Sequence, residues 1–189
     1  MAGDTDNVAV WSEADVLLGS LTATNPATNA AFLLNADPTP VTEWDFAGIL
    51  DGAAGFGETQ ANDSTDFMGW GVGVIASSKK NLAVTRTFTV LEDNPITLGL
   101  RYDTSAIVVA GTGYSGTLAG RDLNEKFKIA FETRSGGVLK RLISKNYAMI
   151  DSIGDVTEGE DNVASFAVTV KVFPNASNEL WVTYKGAAA

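Results

Sequence analysis

Apolar and polar residues alternate with a period of two along most of this chain, the pattern of half-buried β-strands. In LAVTRTFTV, Leu82, Val84, Phe88 and Val90 fall on one side, and Ala83, Thr85, Thr87 and Thr89 on the other. Arg86 interrupts the apolar row and marks a place where that side meets a partner or solvent. KFKIAFET sets Phe127, Ile129 and Phe131 against charged neighbours, and SGG at 135–137 reads as a hairpin turn into VLKRLISKNYAMI. ASFAVTVKVFP and ELWVTYK complete a β-rich final third. Upstream, strands are expected at 8–11 (with a second apolar patch at 16–18), in TEWDFAGIL, and in MGWGVGVIA and LAVTRTFTV, the last two joined by a turn at SSKKN. SAIVVAG reads as a buried strand, and GTGYSGTLAGRD as a glycine-rich loop.

One stretch breaks the two-residue period. In LEDNPITLGLRY, Pro95 suits the first helical position, where its missing N–H costs nothing, and Asn94 suits the N-cap. Ile96 and Leu100, four apart, supply an apolar stripe, while Gly99 weakens the helix by about 1 kcal/mol relative to Ala. A short helix held by packing is predicted.

Two segments lack a strand pattern. Residues 22–40 are rich in Thr, Asn, Ala and Pro, with FLL at 32–34 as the apolar anchor, and 52–66 are rich in Gly, Asp and Asn. Loops of this length usually serve an interaction. The resulting expectation is a mostly β protein: a β-sandwich or partly rolled barrel with one short flanking α-helix. Residues 8–185 form a single domain with extended loops at 22–40 and 52–66, and 1–7 and 186–189 are flexible ends.

Composition narrows the function by exclusion. The 189 residues suffice for one domain, which at this size buries roughly 70% of the surface its unfolded chain exposes. With no cysteine and no histidine, the sequence has no disulfide framework, no thiolate, and neither the commonest metal ligand nor the usual general base near neutral pH. Against 23 acidic residues stand 13 basic ones, a net charge of −10, and the only local basic spots are SKK and LKRLISK. Tight binding to a phosphate backbone needs clustered Lys and Arg. No apolar run approaches the roughly 20 residues of a membrane helix, and the acidic start, MAGDTDNVAV, has no signal core. A chain made in the cytosol is expected, and the N-x-S matches at Asn62 and Asn175 are then chance.

Candidate chemistry is sparse. Asp155, Glu158, Glu160 and Asp161, and separately NDSTD at 62–66, gather oxygen ligands, yet neither follows the EF-hand spacing, and solvated acidic turns are the plainer reading. Glu43 and Asp45 flank Trp44, but adjacent strand residues point to opposite faces and so make no glycosidase pair. No phosphate-binding glycine motif and no G-x-S-x-G occurs. Trp11, Trp44, Trp70 and Trp181 suit a core better than a sugar platform. No catalytic residue, cofactor or metal is expected, and the chain reads as a non-enzyme.

An ordered series of blocks carries a resemblance: WDFAGILDGAAGFGE, DSTDFMGWG, SSKKNLAVTRTFTVLEDNP, KIAFETRSGGVLKRLISKNYA and GDVTEGEDNVASFAVTVKVFPNASNELW. Together they span about 42–182, and 8–41 match only loosely. The series resembles the major tail protein of long non-contractile-tailed phages, of the actinobacteriophage type. The resemblance implies a structural virion protein that self-assembles into rings, typically hexameric, which stack into a tail tube. Sheets of neighbouring copies join into a barrel around the lumen, and DNA transits it without specific binding during ejection. Tape measure, tail terminator and tail-tip proteins are the further implied partners, and the virion tail the location. On this reading Thr85, Thr87 and Thr89 are a candidate lumen face. Phe32, Asp45, Phe56, Arg86, Asp155 and Glu158 are candidate subunit contacts. The alternative is a non-enzymatic β-sandwich module that binds carbohydrate or serves adhesion.

Overall fold

The computed structural model describes residues 10–26, 43–111, 113–160 and 162–187. In chain order the elements are β1 (Glu13–Gly19), β2 (Trp44–Phe46), β3 (Gly57–Gly69), β4 (Gly73–Val90), α1 (Pro95–Arg101), β5 (Tyr102–Asp103), β6 (Ile107–Ala110) and β7 (Gly113–Gly116). They continue with β8 (Ala119–Gly120), β9 (Lys128–Ser135), β10 (Val138–Ser144), β11 (Tyr147–Ile153), β12 (Thr157–Gly159), β13 (Asn162–Phe173) and β14 (Trp181–Ala187). Two antiparallel sheets dominate, one in the order β14-β10-β9-β1-β2 and the other β11-β13-β4-β3, with β12 added beside β13. The protein is mostly β and consistent with a sandwich, and neither sheet closes into a barrel.

The two-residue period does the packing. Val84, Phe88 and Val90 of β4 and Val168, Val170 and Val172 of β13 are buried, and all but Val84 share one cluster with Val16, Ile129 and Phe131 from the other sheet. Phe88 and Phe131 join the layers edge to face at 5.9 Å, the arrangement favoured by the ring quadrupoles. At one corner Phe127 and Ala148 exchange backbone hydrogen bonds of 3.1 and 2.7 Å, tying the start of β9 to β11. At SGG the chain reverses through Gly136 and Gly137, both at positive φ (56° and 80°), as a tight hairpin requires.

The helix begins as predicted. The Asn94 side chain accepts from the backbone N–H groups of Ile96 and Thr97, both at 2.9 Å, and the Asn94 N–H in turn donates to the Thr97 hydroxyl oxygen. The buried stripe differs: Thr97, Leu98 and Leu100 face inward, and Ile96 is only half-buried. In a seven-residue helix one turn decides the phase, and Leu98 rather than Ile96 lies over the core beside Leu100. Leu100 joins the core with Phe127 and Phe166, and the Arg121 guanidinium donates to the Gly99 carbonyl, satisfying an acceptor near the helix end.

Five expectations are corrected. The first strand starts at Glu13, so Val10 and Trp11 precede it, while Val8 lies outside the described residues. Residues 57–66, expected as loop, belong to β3, and SSKKN lies inside β4, where the ladder is irregular and Asn81 adopts φ 56° but the chain does not reverse; the reversal is at Trp70–Gly71–Val72. SAIVVAG supplies β6, one arm of the small β6–β7 hairpin, with Val108 and Val109 exposed rather than buried. The expected loop GTGYSGTLAGRD contributes β7 and β8.

Candidate assembly surface

Three features of the sandwich bear on assembly: an outer sheet face, a projecting hairpin and a pocket between the sheets. The face is set by the same alternation as the core. With Val84, Arg86, Phe88 and Val90 inward, Thr85, Thr87 and Thr89 turn to the far side of the β11-β13-β4-β3 sheet, where all three are half-buried. Across the ladder they meet Lys171, Thr169 and Ala167, and the Thr87 and Thr169 hydroxyls lie 3.0 Å apart. Thr59 and Gly57 continue the face on β3. The surface is hydroxylated and small, with Lys171 as a charged member. Both ends of this sheet are open strands: β3 pairs only with β4 among the described residues, and β11 pairs with β13 and, at Ala148, with Phe127.

Beyond Ala61 and Leu82 the β3–β4 pair leaves the sandwich. Almost every residue from 61 to 82 is exposed on both faces, so this half of the hairpin has no core of its own. It ends in the uncharged run FMGWGVGVI, with Gly71 and Gly73 at positive φ (75° and 89°), which lets the turn reverse within three residues. Trp70 is fully exposed, and Phe67, Met68, Val72, Val74 and Ile75 are exposed around it. A monomer seldom leaves so many contiguous large apolar side chains in water.

The pocket, of about 450 Å³, opens between the sheets beside the start of β1. Its floor is Arg86. A cation on an apolar strand face is stable only with partners: its guanidinium reaches Glu58 at 3.4 Å, lies 4.3 Å from the Phe131 ring centroid, and is flanked by Phe56 and Trp181 at 5.7 and 5.6 Å. Burial pulls the Arg86 pKa below its ordinary value, and the Glu58 carboxylate opposes this. Its Nε and the Trp181 indole N–H have no hydrogen-bond partner. Phe56 stands edge-on to Phe131 at 5.2 Å, held by the turn in which Asp51 Oδ1 accepts from the Ala53 N–H at 2.8 Å.

The proposed contact residues therefore separate. Arg86 is turned inward by the strand phase, is 8% exposed and lines this pocket. Phe56 is a half-buried pocket wall, Asp45 is exposed on the edge strand β2, and Asp155 and Glu158 are exposed around β12. Phe32 lies outside the described residues. The tryptophans divide too: Trp44 is buried, Trp181 partly so, Trp11 lines the pocket and Trp70 projects.

An ionic cluster on the outer side of the other sheet was not legible in the sequence. Glu132 is 1% exposed and accepts from Arg141 Nε at 2.6 Å and Arg134 Nε at 2.9 Å; Arg134 also lies 3.6 Å from both Glu13 and Asp15. Beside it Leu17, Ala23, Trp44, Ala130 and Ile143 form a second apolar cluster, so this face is covered and its charges must pair. Among the described residues no group of three or more His, Cys, Asp or Glu side chains is placed to hold a metal ion. No helix is long and apolar enough to cross a membrane. Comparison with known proteins finds no family whose profile matches this chain and no match among curated proteins.

Proposed function

We propose that this chain is a tail-tube subunit of a long non-contractile-tailed phage, a structural protein of the virion whose copies form rings, six being the expected number, that stack into a conduit for DNA. The observation that carries the reading is the β3–β4 hairpin, which extends out of its own core and ends in exposed Phe67, Met68, Trp70 and Ile75. Such a tip is stable in water as an interface in waiting. Two further features agree with it. A sheet with open edges at β3 and β11 can continue into neighbouring copies, which removes edges that otherwise invite uncontrolled pairing. The Thr85, Thr87 and Thr89 face, on a chain of net charge −10, offers a passing polyanion hydroxyls and little to hold it.

Negative-stain electron microscopy with light scattering across a concentration series tests the proposal. Rings or uniform hollow tubes are expected. A chain that stays monomeric into the millimolar range refutes self-assembly, and binding of that monomer to a glycan array would establish the carbohydrate module instead.

A further inference from the structure

The hairpin tip and the pocket are a projection and a recess on one chain. We propose that Trp70 of one copy docks in the Arg86–Phe131 pocket of the next copy, an inference that rests on the self-assembly proposed above and assigns it a specific contact.

The occupant has to come from another molecule. β4 runs as one strand from the pocket floor at Arg86 to the tip, and at 3.2–3.4 Å per residue the tip stands roughly 40 Å from its own pocket. The pocket, about 450 Å³, falls in the size range of sites that take a whole organic group, and is walled by Trp11, Phe56, Phe131 and Leu142 with Arg86 as floor. An indole is the group such a wall fits, because aromatic edges and a guanidinium both favour a π face.

Charge agrees with this assignment. At the rim, Glu13 is engaged by Arg134 at 3.6 Å, and Asp51 accepts from the backbone N–H of Ala53. Lys140, exposed at the same rim, takes part in no ion pair among the described residues. The incoming tip is uncharged from Phe67 to Ala76, and the first charge behind it is Asp66, an exposed carboxylate that suits Lys140. The tip thus brings apolar surface to an apolar wall and an anion to a cation. Where each copy gives its tip to one neighbour and takes the tip of another, the contact is heterologous and repeats into a ring or filament, the mode a tube requires.

The absence of native cysteine makes the test direct. A Val72→Cys variant, which keeps Trp70 at the tip, is mixed with a Thr133→Cys variant, whose residue lines the pocket, and in parallel with Leu123→Cys, whose residue is exposed elsewhere. The expected result is a mixed disulfide between the 72 and 133 variants, competed away by unmodified protein, and none above background with 123. In addition, Trp70→Ala is expected to raise the concentration at which the chain assembles by at least about 30-fold, with Trp70→Phe recovering part of the loss. If wild-type protein forms tubes while the tip links to 133 no faster than to 123, the docking is refuted and the tube reading stands. If wild-type protein neither assembles nor cross-links selectively, both fall.

Discussion

Asp15 sits in β1 beside the Arg134–Glu132 cluster, and two effects on its carboxyl compete. Desolvation by burial favours the neutral acid, reinforced by the nearby Glu132 and Glu13 carboxylates, while Arg134 at 3.6 Å favours the anion. Burial prevails, and the pKa is pushed up from 3.8 to about 6. A group whose pKa is raised on folding stabilises the fold below its unfolded value and loses that contribution as pH rises through the folded one. At neutral pH, therefore, the wild-type protein holds a charge it would shed if it could. Two units correspond to an upper limit of about 3 kcal/mol. With the side chain 25% exposed and partly screened by solvent, about 1–2 kcal/mol remains. Asp15→Asn removes the charge and nearly preserves the shape. Urea unfolding of both proteins from about pH 4 to about pH 8, followed by tryptophan fluorescence, measures the difference. The variant should match or fall slightly below wild type at the acid end, then gain through pH 5–7 to about 1–2 kcal/mol above it. A difference that stays constant with pH, or one that favours wild type more as pH rises, would show that the Arg134 pair outweighs desolvation.

Three further outcomes follow from the same geometry. Glu132→Ala strips Arg141 of its 2.6 Å carboxylate partner and should cost about 3–5 kcal/mol in denaturant unfolding, while the double variant Glu132→Leu, Arg141→Leu should recover most of it. Asn94→Ala removes both hydrogen bonds at the α1 N-terminus and should cost about 1 kcal/mol, a fall in Tm of about 2–4 °C by calorimetry; an unchanged Tm would mean the cap is irrelevant. Gly48 adopts φ 84°, and an added Cβ would stand 2.5 Å from the Glu92 carboxylate that holds the Ile49 N–H. Gly48→Ala should therefore destabilise by about 1–3 kcal/mol, and a neutral result would overturn the assignment of strain there.

The sequence pattern disclosed what depends on local rules. β9, β10 and β13 follow from alternation, the reversal at Gly136–Gly137 from its glycines, and the start of α1 from Asn94 and Pro95. It failed where a local signal has two causes. SSKKN looks like a turn because polar residues occupy successive positions, yet in a strand with solvent on both faces the same composition costs nothing. Conversely, GWGVG reads as strand by its apolar residues, although its spaced glycines at positive φ carry the actual reversal. Glu132, Arg134 and Arg141 alternate like an exposed polar face, and only the cover over that side of the sheet, including Trp44 and Ala23, makes them a buried network. The pocket combines Trp11, Phe56, Arg86 and Phe131 from four separate parts of the chain, so no single stretch could announce it.

β4 is at once one of the two inner strands of its sheet and the shaft of the projection. A force applied at Trp70 along the hairpin is transmitted down that strand into the ladder with β13, which runs from Val84↔Val172 to Val90↔Phe166. Tension in that direction shears all these hydrogen bonds together, whereas a force across the sheet would unzip them one pair at a time. Single-molecule pulling from residue 71 against β13 should accordingly meet more resistance than pulling across β3 and β4. The hairpin is thus mechanically a tie-rod rooted in the core, able to carry load between molecules without first loosening the one it belongs to.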